Sequence, residues 1–304
     1  MTRLIPVATT IAIVLGLGLR GRQVLAIVRT MSLSVKFAAG WLVLILFGAV
    51  YADWLPLKDP IAQAFLTGSG ATSNEGPSGS FWFGTDALTR DIFSRVVYGA
   101  QVSIIVAVAA VACGVAIGGF LGALVGYVRG KTDSLVMSGV DVILAFPGLV
   151  LLLALVTFLE TRSLAVISIV IGALSIPPYT RVSRANSLTV SRREYVLAAR
   201  AIGTPRRTIL FREVIPNVLP SVLAYALVAA AGIIVLEGSL AFLGLSVQPP
   251  TPTWGSMIYE GRKDIALALH PVFFPSAAMV LTVLAMNMVG DWLRKRGQHR
   301  GAAL

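Results

Sequence analysis

The sequence predicts an all-α integral membrane protein with six spanning helices, on three observations. Of its 304 residues, 56% are hydrophobic and only 13% charged, where a soluble domain carries about a quarter. Six segments, at approximately 34–55, 100–127, 135–158, 163–180, 217–245 and 271–293, are apolar without interruption. A spanning helix needs about 20 such residues, and runs that do not alternate argue against barrel strands. The third observation is charge: the basic residues between these segments gather on alternate sides of the membrane.

Placing the start of the first span inside collects fourteen Lys and Arg on that side and six on the other. The positive-inside rule then puts both ends of the six-span unit in the cytoplasm. The net charge of +11 is read the same way, as topology rather than affinity for nucleic acid. A lone Cys113 and two separated histidines, His270 and His299, give no disulfide framework, no metal centre and no catalytic constellation. No G-x-x-x-x-G-K-[ST] pattern occurs, so the chain binds no ATP by that route and is expected to carry no cofactor of its own.

Taken in order, residues 1–30 form a hydrophobic and basic extension. Leu4 to Leu19 is apolar between Arg3 and the pair Arg20 and Arg22. It reads as a signal-like run, an interfacial helix or an extra span, or as a stretch before a start at Met31, and stands outside the functional core. Residues 31–80 hold the first span and an external loop, whose tip from Thr67 to Ser80 is rich in Gly, Ser and Thr and reads as flexible. Residues 81–304 are the remaining core. At its entrance, Asp86 with Arg90 and Asp91 with Arg95 have the i,i+4 spacing of helix ion pairs. Local salt bridges and caps are the favoured reading there, direct substrate contact the other. Along the second span Gly114, Gly118, Gly119, Gly122 and Gly126 recur at helical spacing, which lets another helix approach closely within the chain or across a dimer seam.

The segment between the fourth and fifth spans, 181–217, is basic yet patterned as a helix. Ser191 and Glu194 have the spacing of a capping box, Gly203 suits the left-handed end of a helix, and Pro205 prevents continuation. Tyr195, Val196, Ala199 and Ile202 share one face, while Ala198 and Ala199 leave the backbone open to a partner. A second helix is expected from Thr204 as cap and Pro205 to Pro216. A solvated basic loop and a helix-turn-helix DNA reader compete with this; against the latter, the unit is tethered by spans at both ends and has no third helix. Among ionisable residues near the spans, Asp133, Asp141, Glu160 and Glu237, the last is the best candidate for a pathway or gate residue, with a structural ion pair to a partner subunit as the equal alternative. In the 246–270 loop, Trp254 among prolines reads as an interface anchor.

Tyr195-Val-Leu-Ala-Ala-Arg-Ala-Ile-Gly203, followed by Pro216, resembles the EAA motif of ABC importer permeases. Leu197 stands where the motif has its glutamate; Ala198, Ala199 and Gly203 match. Two further stretches are similar to the dipeptide, oligopeptide and nickel branch: Phe83-Gly-Thr-Asp through Ser103, with Thr89 in place of a glycine, and Glu237 through Ile258, close to that branch's "C" permease. The resemblance implies a type I (MetI-like) fold in a bacterial inner membrane. It implies that Tyr195, Val196, Ala198, Ala199, Ile202, Gly203 and Pro216 belong to a coupling helix, about 191–203, and its motif, docking on an ATPase. The external side, with Asp86, Arg90, Asp91 and Trp254, would receive a substrate-loaded binding protein. Partners implied are a second permease, two ATPase subunits or a fused one carrying ATP and Mg, and a binding protein. The cargo implied is a short peptide, with nickel or another small solute as the alternative; a non-ABC secondary carrier is the other-class reading.

Overall fold

The computed structural model describes residues 31–66 and 71–301, so the expectation for residues 1–30 lies outside the described residues. Nine helices are described: α1 Leu33–Val50, α2 Ile92–Val128, α3 Lys131–Ala145, α4 Gly148–Leu159, α5 Leu164–Val190, α6 Glu194–Ala201, α7 Arg206–Phe242, α8 Trp254–Gly261 and α9 His270–Gly301. No strand occurs among the described residues. Five helices are long and apolar enough to span, and α3 with α4 makes a sixth if the bent pair is one span.

Several boundaries differ from the sequence reading. The third span is not continuous, because α3 and α4 are bent by 86° at a break. Phe146 there is extended, at φ −79° and ψ 137°; the ring of Pro147 disfavours the helical region for the residue before it and supplies no N–H. The second and fifth spans are 37 residues each, about 55 Å at 1.5 Å per residue. A hydropathy window sees only the apolar part, so the polar N-terminal ends of these helices read as loop. For the same reason the helix expected to stop at Pro216 is the first part of α7, which continues through Pro216 and Pro220. Each long helix carries a π-helical segment, Gly114–Gly119 in α2 and Leu210–Val214 in α7.

The chain divides into two units, one containing the chain up to Ile104 with Pro250–Trp292, the other Ile105–Pro249 with the chain from Leu293. In the first, the indole of Trp41 on α1 donates to Thr282 Oγ1 on α9 at 3.0 Å. The described part of the loop tip, residues 71–80, is tied down rather than free. Thr85 exchanges bonds with Glu75, Asn74 N–H donates to the Asp86 carbonyl, and Phe81 and Ala71 are buried together.

In the second unit, α2 lies against α5 along the glycine stripe. A Cβ at Gly118 would run into the Ile176 carbonyl and one at Gly122 into the Thr180 carbonyl; at Gly126 it would meet the Arg184 carbonyl at 2.8 Å. Close approach also lets α5 hydroxyls reach α2 carbonyls: Ser183 Oγ donates to Gly119 O at 2.5 Å and Ser187 Oγ to Ala123 O at 2.8 Å. The stripe is therefore packing within one chain. Ion pairs hold α3 to α5, with Arg184 forked onto both oxygens of Asp133 at 2.5 and 2.7 Å and Arg181 on Asp141 at 2.6 Å.

Candidate functional site

The best-defined functional feature is α6. Its start differs from the expected capping box. Ser191 closes α5 rather than opening α6, and its Oγ is buried without a partner. Arg193 is the N-cap residue, extended and without a side-chain cap. Glu194 in the first turn and Arg200 in the last complement the helix dipole instead. The far end is as expected. Gly203 sits at φ +80°, Thr204 N–H donates to Ala199 O and Gly203 N–H to Arg200 O. These two bonds make a complete Schellman motif, so the carbonyls at the helix end are satisfied and the chain turns sharply into α7.

The face that α6 presents is not the one the sequence suggested. Val196 is fully buried and Ala199 packs beside it against a core of Tyr127, Tyr179, Val190, Ile209, Leu210 and Val214. Arg200 places its guanidinium 5.1 Å from the Tyr127 ring. The opposite face, Leu197, Ala198, Ala201 and Ile202, is exposed, Ile202 at 83%. Tyr195 lies at the margin; burial pushes its phenol above the ordinary value, with Arg193 opposing and Glu213 adding, so it stays a neutral hydroxyl at physiological pH. Val196 and Ala199 thus root the helix, and Leu197, which stands at the motif's glutamate position, and Ala201 complete the open face. A three-residue count from Val196 to Ala199 was the available signal, but it does not say which face meets its own chain. Pro216 is exposed in the interior of α7.

In the other unit Asp86, Arg90 and Arg95 assemble with Glu260, which sequence reasoning missed because it is 165 residues away from Arg95. Arg90 bonds Asp86 at 2.7 Å and Glu260 at 2.6 Å; Arg95 bonds Glu260 at 3.1 Å and lies 3.6 Å from Asp86. The pairing of Asp86 with Arg90 occurs in a turn, not along a helix. Asp91 is not the partner of Arg95: it caps α2, accepting from Ser94 N–H at 2.9 Å. Trp254 is 1% exposed and its indole donates to Val96 O at 2.9 Å. It locks α8 onto α2 over Gly99, and the anchor reading is corrected accordingly. Glu237 is also 1% exposed and accepts from Ser246 Oγ at 2.8 Å, so it is held inside its own chain. Among the described residues no three His, Cys, Asp or Glu side chains group as metal ligands.

Spans of this number, with a helix rooted in one core and exposed on its far side, define the class as a polytopic membrane protein. Residues 114–300 match the family described as binding-protein-dependent transport system inner membrane component. The chain belongs to that family and is an ABC importer permease of the peptide/oligopeptide branch, a membrane transport component rather than a catalytic subunit. It is 41% identical over 257 residues to the glutathione transport system permease protein GsiD of Escherichia coli (strain 536), covering 84% of this chain and 83% of the relative. It is 39% identical over 261 residues to the protein of the same name from Pectobacterium atrosepticum, covering 86% and 85%.

Proposed function

We propose that this permease forms half of the pathway for short peptides, driven through α6 by ATP hydrolysis on a partner subunit. The observation that carries the proposal is the division of α6 into a rooted face and an exposed apolar face. A helix of eight residues, stopped by a Schellman turn, moves as a piece with the core that holds Val196. Force applied to Leu197, Ala198 and Ile202 therefore reaches α5 and α7. The substitution of Leu197 for the motif's glutamate leaves the face apolar, and Arg192, Arg206 and Arg207, which flank α6 in sequence, are all exposed. On this reading α6 lies on the cytoplasmic side, a second permease completes the channel, and an extracytoplasmic binding protein delivers the cargo. ATP and Mg are held by the partner.

Peptide cargo is favoured over nickel because the relatives are named as glutathione permeases, and glutathione is a small peptide. The test is uptake by the complete importer in proteoliposomes, with glutathione, an unmodified dipeptide and a nickel salt as separate probes. ATP-dependent entry of either peptide supports the reading. Entry of nickel alone, or entry without ATP, overturns it.

A further inference from the structure

Between α5 and α7 lies a cleft of about 330 Å³, within the range of about 300–1,000 Å³ typical of small-ligand sites. No charged side chain lines it. On the α5 wall, Tyr179 is 1% exposed and its hydroxyl is buried with no hydrogen-bond partner. The ring cannot retreat, because it is already seated against Gly114 and Gly118 in the π-helical segment of α2. One turn earlier, Leu174 lines the same cleft. Residues three and four beyond it are Pro177 and Pro178, which have no N–H, so the Leu174 carbonyl lacks both of its ordinary helical donors. Across the cleft, Tyr225 stands edge-on to Tyr179 with ring centroids 5.1 Å apart. Gly232 also lines the cleft, and a Cβ there would meet nothing within 4 Å. The glycine is thus not required by packing within this chain, although a glycine weakens a helix interior relative to alanine.

We infer that the α5–α7 cleft is a transit site for the peptide backbone, with Tyr179 and the Leu174 carbonyl as its polar contacts and Gly232 setting its width. This rests on the reading of the cargo as a short peptide. A peptide bond brings one donor and one acceptor, the two functions that a phenol and a bare carbonyl can answer. A lipid chain would leave both unanswered. Neutral walls read no side-chain charge, so the site suits a backbone common to many peptides. The hydroxyl gains its partner as the cleft widens around the cargo, which ties passage to separation of α5 and α7.

The experiment uses the complete importer in proteoliposomes, with glutathione and dialanine as probes, measuring initial uptake and ATP hydrolysis together. Gly232→Leu puts a side chain into the cleft from a position where a Cβ meets nothing within 4 Å, and is expected to slow uptake of glutathione more than of dialanine while ATP hydrolysis continues. Tyr179→Phe removes one hydrogen-bonding group and is expected to slow uptake of both probes by about tenfold, the scale of one hydrogen bond. Unchanged uptake in both variants, with the wild type active, overturns the site and leaves the cargo reading standing. Loss of the second permease from the purified Gly232→Leu complex assigns the cleft to the subunit seam and overturns the site likewise. A wild type that takes up neither peptide overturns the cargo reading and the site with it.

Discussion

Asp86 is the residue on which two nearly inaccessible arginines depend. Its Oδ2 meets Arg90 and Arg95, while its Oδ1 accepts the backbone N–H groups of Leu88 and Arg90 at 2.9 Å each. Removing one partner of a buried ion pair costs about 3–5 kcal/mol, because the remaining charge stays out of water. Asp86→Ala is expected to lose about that much, read as a lower midpoint of thermal unfolding in detergent. Asp86→Asn keeps the acceptor for the turn and is expected to lose less. Equal losses would mean that the turn bonds, not the charge, hold the cluster. The alanines of α6 divide by the same logic of burial. Ala199 faces the core, so Ala199→Arg is expected to disturb folding of the permease itself; Ala198 is exposed, so Ala198→Arg leaves the fold intact and alters only what docks there.

At the scale of the element, glycine does two separate jobs. Gly203 is needed for its backbone: it lies at φ +80° with open space around it. An alanine there pays about 1–2 kcal/mol for the left-handed conformation alone. Gly203→Ala is expected to loosen the end of α6, seen as faster hydrogen exchange at Gly203 and Thr204, whose N–H groups make the Schellman bonds; unchanged exchange would contradict the assignment. Gly122 is needed for its missing side chain, since a Cβ would strike the Thr180 carbonyl, whereas one at Gly119 meets only Val222 Cγ1 at 3.6 Å. Gly122→Ala is expected to destabilise by about 1–3 kcal/mol through overpacking, and Gly119→Ala to be tolerated, in the same unfolding measurement. The spacing of these glycines was legible because helix periodicity places them on one face. The helix starts were not legible: hydropathy marks the apolar C-terminal part of α2 and α7 but not their polar N-terminal extensions. The break at Phe146-Pro147-Gly148 had a local signal, which an apolar run on both sides concealed. Ser191 looked like a cap from its spacing to Glu194, yet the preceding helix α5 runs ten residues beyond the expected end of its span and takes Ser191 as its own closing residue.

At the scale of the whole molecule, the class, the number of spans and the family were all readable from composition and three motifs, because each depends on residue type along the chain. What the motifs could not supply was direction. By sequence, Trp254, Glu237 and Val196 belong to a binding-protein surface, a pathway and a docking face, yet all three are buried: Trp254 against Val96, Val196 in the core with Tyr127 and Tyr179, and Glu237 beside Ser246. Conversely Glu260, distant in sequence, completes the cluster begun by Asp86 and Arg90. The proposed mechanism asks one thing of this arrangement: that α6 pass on a push from a partner to the core that carries α5 and α7.

The most direct test is ATP-dependent peptide uptake by the reconstituted importer carrying Ala198→Arg, with the amount of bound ATPase measured in the same preparation. The expected result is a folded permease pair that has lost its ATPase subunits, or that retains them while ATP hydrolysis proceeds without uptake. Normal uptake with the ATPases still bound would contradict the account and return α6 to the status of a basic surface helix.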